Sequence, residues 1–128
     1  MKDIISLIGA AAENNAIGYR GLIPWHIRAD FQYFKRTTMG HPVIMGLGTW
    51  RSFSERCLPG RRNMVVSDQP LTEADRVFVT RIHTVVEPAD AFFPEIDPDL
   101  WKETFRSIRY HDEESGYDYT FLLYEKRK

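Results

Sequence analysis

An α/β fold is predicted by three features of the sequence. It opens on an uninterrupted apolar strand, it then alternates strand and helix patterns, and its C-terminal half is β-rich. Ile4 to Ala11 is a continuous apolar run, the pattern of a strand covered on both faces. The Asn- and Gly-rich stretch "ENNAIGYRG" that follows reads as a loop. Phe31 and Phe34 recur at helical spacing, which predicts a helix over about Arg28 to Met39, stopped by Gly40. "HPVIMG", from His41 to Gly46, is a second short buried strand entering a Gly turn. "GTWRSF" reads as a short helix opened by Thr49. "LPGRR" turns the chain, and "NMVVSD" is a third strand ending at Asp68. Alternation of this kind favours parallel pairing.

The second half changes character. "DRVFVTRI" is rich in β-branched and aromatic residues, as a strand should be. "EPADAFFPEIDPDLW" is a Pro-punctuated loop with aromatic anchors. Two longer strands, roughly Lys102 to Glu113 and Tyr117 to Lys126, flank "ESGY" and predict an antiparallel hairpin.

The totals exclude several classes. The 128 residues predict one domain, with enough chain for a core that needs no staples. Hydrophobic residues at 43% and charged residues at 27% are an ordinary folded balance. A formal net charge of -1 argues against nucleic acid as a partner. Cys57 is the single cysteine, so neither a disulfide framework nor a cysteine-built zinc site is expected. A reducing cytoplasm is the simplest compartment, and no apolar run has membrane length. The stretch "IISLIGAAA" lacks a basic lead-in and a polar cleavage region, so it reads as a strand rather than a signal peptide.

One residue demands an explanation. Asp30 sits at a helix start crowded by Ile23, Trp25, Ile27, Phe31, Tyr33 and Phe34. A carboxylate beside so much apolar surface costs free energy unless it is solvated, paired or neutralised. Either it favours the helix dipole, worth roughly 0.3–1 kcal/mol, or it awaits a partner outside the chain. Other candidates are weaker. "HDEE" at His111 to Glu114 alternates across a strand and makes a poor metal cage. No Ser-His-Asp or Cys-His arrangement follows from spacing.

The strand, the loop "IGYRGLIPW" and the helix carrying Asp30 and Phe34 together resemble the dihydrofolate reductase family. The likeness continues in order through "HPVIMG", Thr49-Trp50, "LPGRRN" and "FPEIDPDLW", so it covers nearly the whole chain. It implies a dihydrofolate reductase-like α/β fold, with a mixed, mostly parallel sheet, flanking helices and a C-terminal antiparallel hairpin. It also implies that Asp30 binds the pterin ring and supports its protonation, and that Ile23 and Trp25 belong to a mobile loop closing over the nicotinamide. Ile8, Ala10, Phe34, Ser52, Phe53, Leu58, Arg61 and Thr80 are then the remaining substrate contacts. Among these, Arg61 would grip the glutamate carboxylate and Thr80 would hydrogen-bond Asp30. The cofactor side falls to Ala10, Ile17, Gly18, Gly46, Leu47, Gly48, Thr49, Ser67 and Asp68. No metal is implied.

The chain departs from the family in two respects. A segment is missing between about Gln69 and Ala74, and in the family that segment supplies a central strand, one or two helices and a glycine turn for the cofactor's pyrophosphate. From Asp68 to Arg76 the chain reaches at most ~30 Å, whereas joining parallel strands normally takes a dozen or more residues. The sheet is therefore expected either to close up or to hold a cleft in its middle. Leu47 and Gly48 also stand where the family offers cations to the 2′-phosphate of NADPH, so NADH is admitted as well. The implied function is reduction of dihydrofolate by a nicotinamide dinucleotide. The alternative is a silent remnant that binds pterins or antifolates without turnover. The expected state is a monomer, with self-association through unpaired strand edges as the other outcome.

Overall fold

The computed structural model describes residues 5–20, 23–53, 56–66 and 74–128, with backbone alone for 46–48 and 65–66. Its elements run β1 (Ser6–Ala12), β2 (Ala16–Gly18), α1 (Arg28–Thr38), β3 (Val43–Gly46), α2 (Leu47–Ser52), β4 (Asn63–Val66), β5 (Arg76–Ile82), β6 (Ala91–Phe92), β7 (Trp101–Arg106), β8 (Tyr110–His111) and β9 (Asp118–Lys126).

The main sheet has the order β1-β5-β9-β7, with β8 also paired to β9. β1 and β5 are parallel, in an unbroken register from Ser6 opposite Arg76 to Ala12 opposite Ile82. β9 runs antiparallel to both β5 and β7. β3 and β4 form a separate parallel pair, and β2 pairs antiparallel with β6. The main sheet is thus mixed, and among the described residues antiparallel pairings outnumber parallel ones, contrary to the mostly parallel expectation. Strand alternation misleads here because the long C-terminal strand inserts between β5 and β7 instead of staying at an edge.

Of the two expected outcomes for the middle of the sheet, the described residues show a cleft. No described strand joins β1 to the β3–β4 pair. Two local expectations also change. "ENNAIGYRG" contains β2, and the first hairpin strand is broken into β7 and β8. Both are short or interrupted strands, for which sequence periodicity is weakest.

The core lies on both faces of β5. Ala12, Ala16, Trp25, Ile27, Ile82 and Tyr119 form one buried cluster, and Ala11, Val77, Val79 and Phe93 form the other. Gly9 is required on the second face. A Cβ there would lie 2.8 Å from the Phe93 ring, closer than carbon atoms approach. Helix α1 docks through Tyr33, which stacks on Phe121 at 4.2 Å between ring centroids.

The turn after β1 is tied to the far end of β5. Glu13 N–H donates to the Thr84 carbonyl at 2.8 Å, and Arg81 donates to the Ala12 carbonyl and the Asn15 side chain, each at 2.8 Å. His83 bridges Glu13 Oε1 at 2.6 Å and Thr120 Oγ1 at 2.7 Å. Asn15 itself takes φ +63°, a left-handed turn conformation that Asn tolerates better than most residues.

Because Ile82 is fully buried between these layers, Ile82→Ala is expected to lower unfolding free energy by about 2–5 kcal/mol. Urea titration checks this.

Candidate active site

α1 begins without a side-chain cap at Ile27, and Asp30 falls in its first turn. Asp30 and Phe34 are one turn apart and so share a face. That face looks toward the floor made by β1 and β5. Thr80 on β5 lies opposite Ala10 of β1 and is buried. Its hydroxyl donates to Asp30 Oδ1 at 2.6 Å. Oδ2 has no hydrogen-bond partner among the described residues.

These elements enclose a cavity of about 540 Å³. Among the residues expected from sequence, Ile8, Ala10, Ile17, Gly18, Ile23, Trp25, Asp30, Phe34, Thr49, Ser52, Phe53 and Thr80 all line it. Leu58 and Arg61 do not. Arg61 instead closes the far end of α1, donating from Nη1 to Thr38 Oγ1 at 2.9 Å and from Nε to the Pro59 carbonyl at 3.0 Å. Asn63 holds that turn, with its side chain bonded to Leu58 and to the Arg61 carbonyl. Thr38 is two turns beyond Asp30 on the same helix face, so Arg61 lies about 12 Å along the axis from the acid. Gly46 ends β3, and Leu47 and Gly48 open α2, which begins two residues earlier than Thr49. Ser67 and Asp68 lie outside the described residues, as does the proposed junction from Gln69 up to Ala74.

The sequence reading missed one wall. Asp90, Ala91, Phe92, Phe93 and Pro94 also line the cavity. The pairing of β2 with β6 brings them there, supported by Phe93 N–H donating to the Asn15 carbonyl at 2.7 Å. The signal present was the doublet Phe92-Phe93 followed by Pro94. Leu7, Gly9 and Phe31 also line the cavity and were not foreseen.

Burial lifts the Asp30 carboxyl above its ordinary value of 3.8, and the Thr80 hydrogen bond opposes this without cancelling it. The site therefore holds an acid that protonates more readily than a solvated carboxylate, with one oxygen fixed and the other open. A carboxyl group so placed matches two N–H donors side by side on a flat ring.

Fold and cavity together define an α/β protein built around a largely apolar cleft with one acidic anchor. A family model described as dihydrofolate reductase matches residues 4–74 and 68–126. The dihydrofolate reductase of Bacillus subtilis is 34% identical over 162 aligned positions, covering 97% of this chain and 95% of the relative. That of Neisseria gonorrhoeae is 35% identical over 158, covering 94% and 96%. The structure of dihydrofolate reductase from Enterococcus faecalis complexed with NADP(H) and RAB-propyl aligns with a TM-score of 0.87 at 23% identity, over 98% of this chain and 97% of that one. The chain belongs to the dihydrofolate reductase family. The two matched pieces meet at 68–74. Because the chain has only 128 residues, an alignment over 162 positions leaves at least 34 of them unmatched on this chain's side.

The raised pKa of Asp30 has a consequence for stability. The folded protein holds this proton more tightly than the unfolded chain. Its contribution is therefore full below the unfolded value and is lost as pH rises through the folded one. Asp30→Asn should flatten that slope, leaving the variant more stable than the parent at neutral pH, as denaturant midpoints across pH would record. Thr80→Val removes the bond that lowers the Asp30 pKa, so an NMR titration should find it raised further.

Proposed function

We propose that this protein reduces 7,8-dihydrofolate to 5,6,7,8-tetrahydrofolate, taking hydride from a reduced nicotinamide dinucleotide. The observation that carries the reading is the Thr80–Asp30 pair at 2.6 Å on the floor of an aromatic-walled cavity, in a chain of this family. Asp30 accepts two parallel N–H donors from the pterin ring. Thr80 fixes Oδ1, so the carboxyl plane is set before the ring arrives. Phe34 covers one face of the ring, and Phe53, 6.4 Å from it between centroids, continues that wall. The same acid, tuned upward by burial, stabilises the protonated state the ring needs at N5. Arg61, about 12 Å farther along α1, takes the glutamate carboxylate with the part of its guanidinium left free by Thr38 and Pro59.

The cavity fits the nicotinamide end of the cofactor better than the phosphate end. Ala10, Ile17 and Gly18 offer a close apolar surface, and Ile23 and Trp25 shield it from water. When bound, the dinucleotide supplies the hydride that reaches the pterin C6. At the phosphate end the sequence places Leu47, Gly48 and Asp68, none of them a cation. Family membership supports NADPH, and the missing cations predict weak discrimination against NADH.

Absorbance at the reduced-nicotinamide band, with dihydrofolate and each dinucleotide in turn, tests the reading. Turnover is expected with both, with a preference for NADPH below about tenfold, since one or two charged hydrogen bonds are lost. Asp30→Asn should lower kcat/KM by about 10²–10⁴-fold. Absence of turnover with either dinucleotide would refute the enzymatic reading. Arg61→Ala should raise KM for dihydrofolate by about 10–100-fold with little change in kcat. It should leave a pterin without a glutamate tail unaffected.

A further inference from the structure

Asp30 is flanked on its helix by two aromatic rings in different surroundings. Positions three and four residues along an α-helix fall on either side of the first. Phe34, four residues on, lines the cavity, and Tyr33, three residues on, does not. One flank of the carboxyl therefore faces the ligand space, and the other is occupied by the Tyr33 ring.

The sheet holds that ring in place. Tyr33 stacks on Phe121 with centroids 4.2 Å apart and planes 25° from parallel. Phe121 stands directly opposite Thr80 in the pairing of β5 with β9. Side chains so opposed rise from the same face, about 5 Å apart. Thr80 holds Asp30, and Phe121 holds Tyr33. The four side chains thus close a circuit across two neighbouring strands and one helical turn. Phe121 is itself wedged by Tyr110 of β8, 5.9 Å away, and by the buried Tyr119, 5.5 Å away and edge-on. It offers Tyr33 a fixed seat. The start of α1 has no side-chain cap, so its first turn depends on such contacts for its place.

We propose that Tyr33 is a positioning residue for Asp30. Seated on Phe121, its ring shuts water out from the side of the carboxyl away from the cavity, so that Oδ2 is open only toward the ligand. The electrostatics agree with this placement. Burial first, and the Asp30 charge second, lift the Tyr33 phenol above its ordinary value of 10.0, as expected of a ring set against that carboxyl. Among the described residues, the other titratable groups around the acid are Tyr119 on β9 and Asp90 on the cavity wall. The catalytic consequence rests on the pterin-binding role proposed for Asp30; the effect on its surroundings does not.

NMR titration of the Asp30 carboxyl in the ligand-free protein is the test. Tyr33→Ala should admit water and lower the Asp30 pKa, raising its acidity about threefold or more. A loosened Thr80 bond would act in the opposite sense, so the drop should persist in the Thr80→Val background. Tyr33→Phe should titrate like the parent. Tyr33→Leu keeps apolar bulk without the flat ring and should move part of the way in the same direction; it carries the test should Tyr33→Ala not fold. A purely structural anchor would lower Tm in these variants and leave the titration where it was. That result, or a rise in the Thr80→Val background, would overturn the proposal. With dihydrofolate, the acid limb of the kcat/KM profile of Tyr33→Ala should move to lower pH together with the NMR value. An NMR shift without that movement upholds the positioning role and counts against the reaction proposed for Asp30.

Discussion

The hydrogen bond from Thr80 to Asp30 joins the two halves of the site. It links the first turn of α1 to the strand that neighbours β1, and it does so across the cavity floor. Without it the helix would still dock, because Tyr33 stacks on Phe121, but the carboxyl plane would be free to turn. A buried acid with one satisfied oxygen is costly to keep charged and easy to protonate. Both properties come from the same placement: apolar walls raise the cost of the charge, and a single hydroxyl offsets part of it. The site gives up some stability at neutral pH to hold an acid that protonates readily.

Much of the site was legible because its residues sit on long, strongly patterned elements. Asp30 and Phe34 declare their shared face through helical spacing, and Ile8 and Ala10 lie on an apolar run that nothing interrupts. Thr80 could be placed on β5, but its bond to Asp30 spans fifty residues of sequence, and only the family likeness pointed to it. The wall from Asp90 to Pro94 was not legible. β6 is two residues long and leaves no periodicity to read; its position comes from pairing with the three-residue β2. The opposite error occurred at the C-terminal hairpin, where residues patterned as one strand are split at Ser107 to Arg109 into β7 and β8.

The break in the middle of the fold was the sharpest conflict between local and global signals. Every segment on either side keeps its own pattern, so each forms its expected strand or helix. Among the described residues no strand joins the two groups. β1 retains β5, β3 retains β4, and the hollow between them opens the floor of the ligand cavity along a strand edge. Asp30 and Thr80 lie on the intact side of that opening.

The position of β9 bears on how the molecule assembles. It is the last strand in chain order, yet it lies between β5 and β7 and also pairs with β8. Every pairing of the main sheet except β1 with β5 must wait for it. Such distant partners make for slow acquisition of the native state. Until β9 arrives, the edge of β5 that it pairs with stays open, and the nascent molecule is at its most vulnerable to clumping.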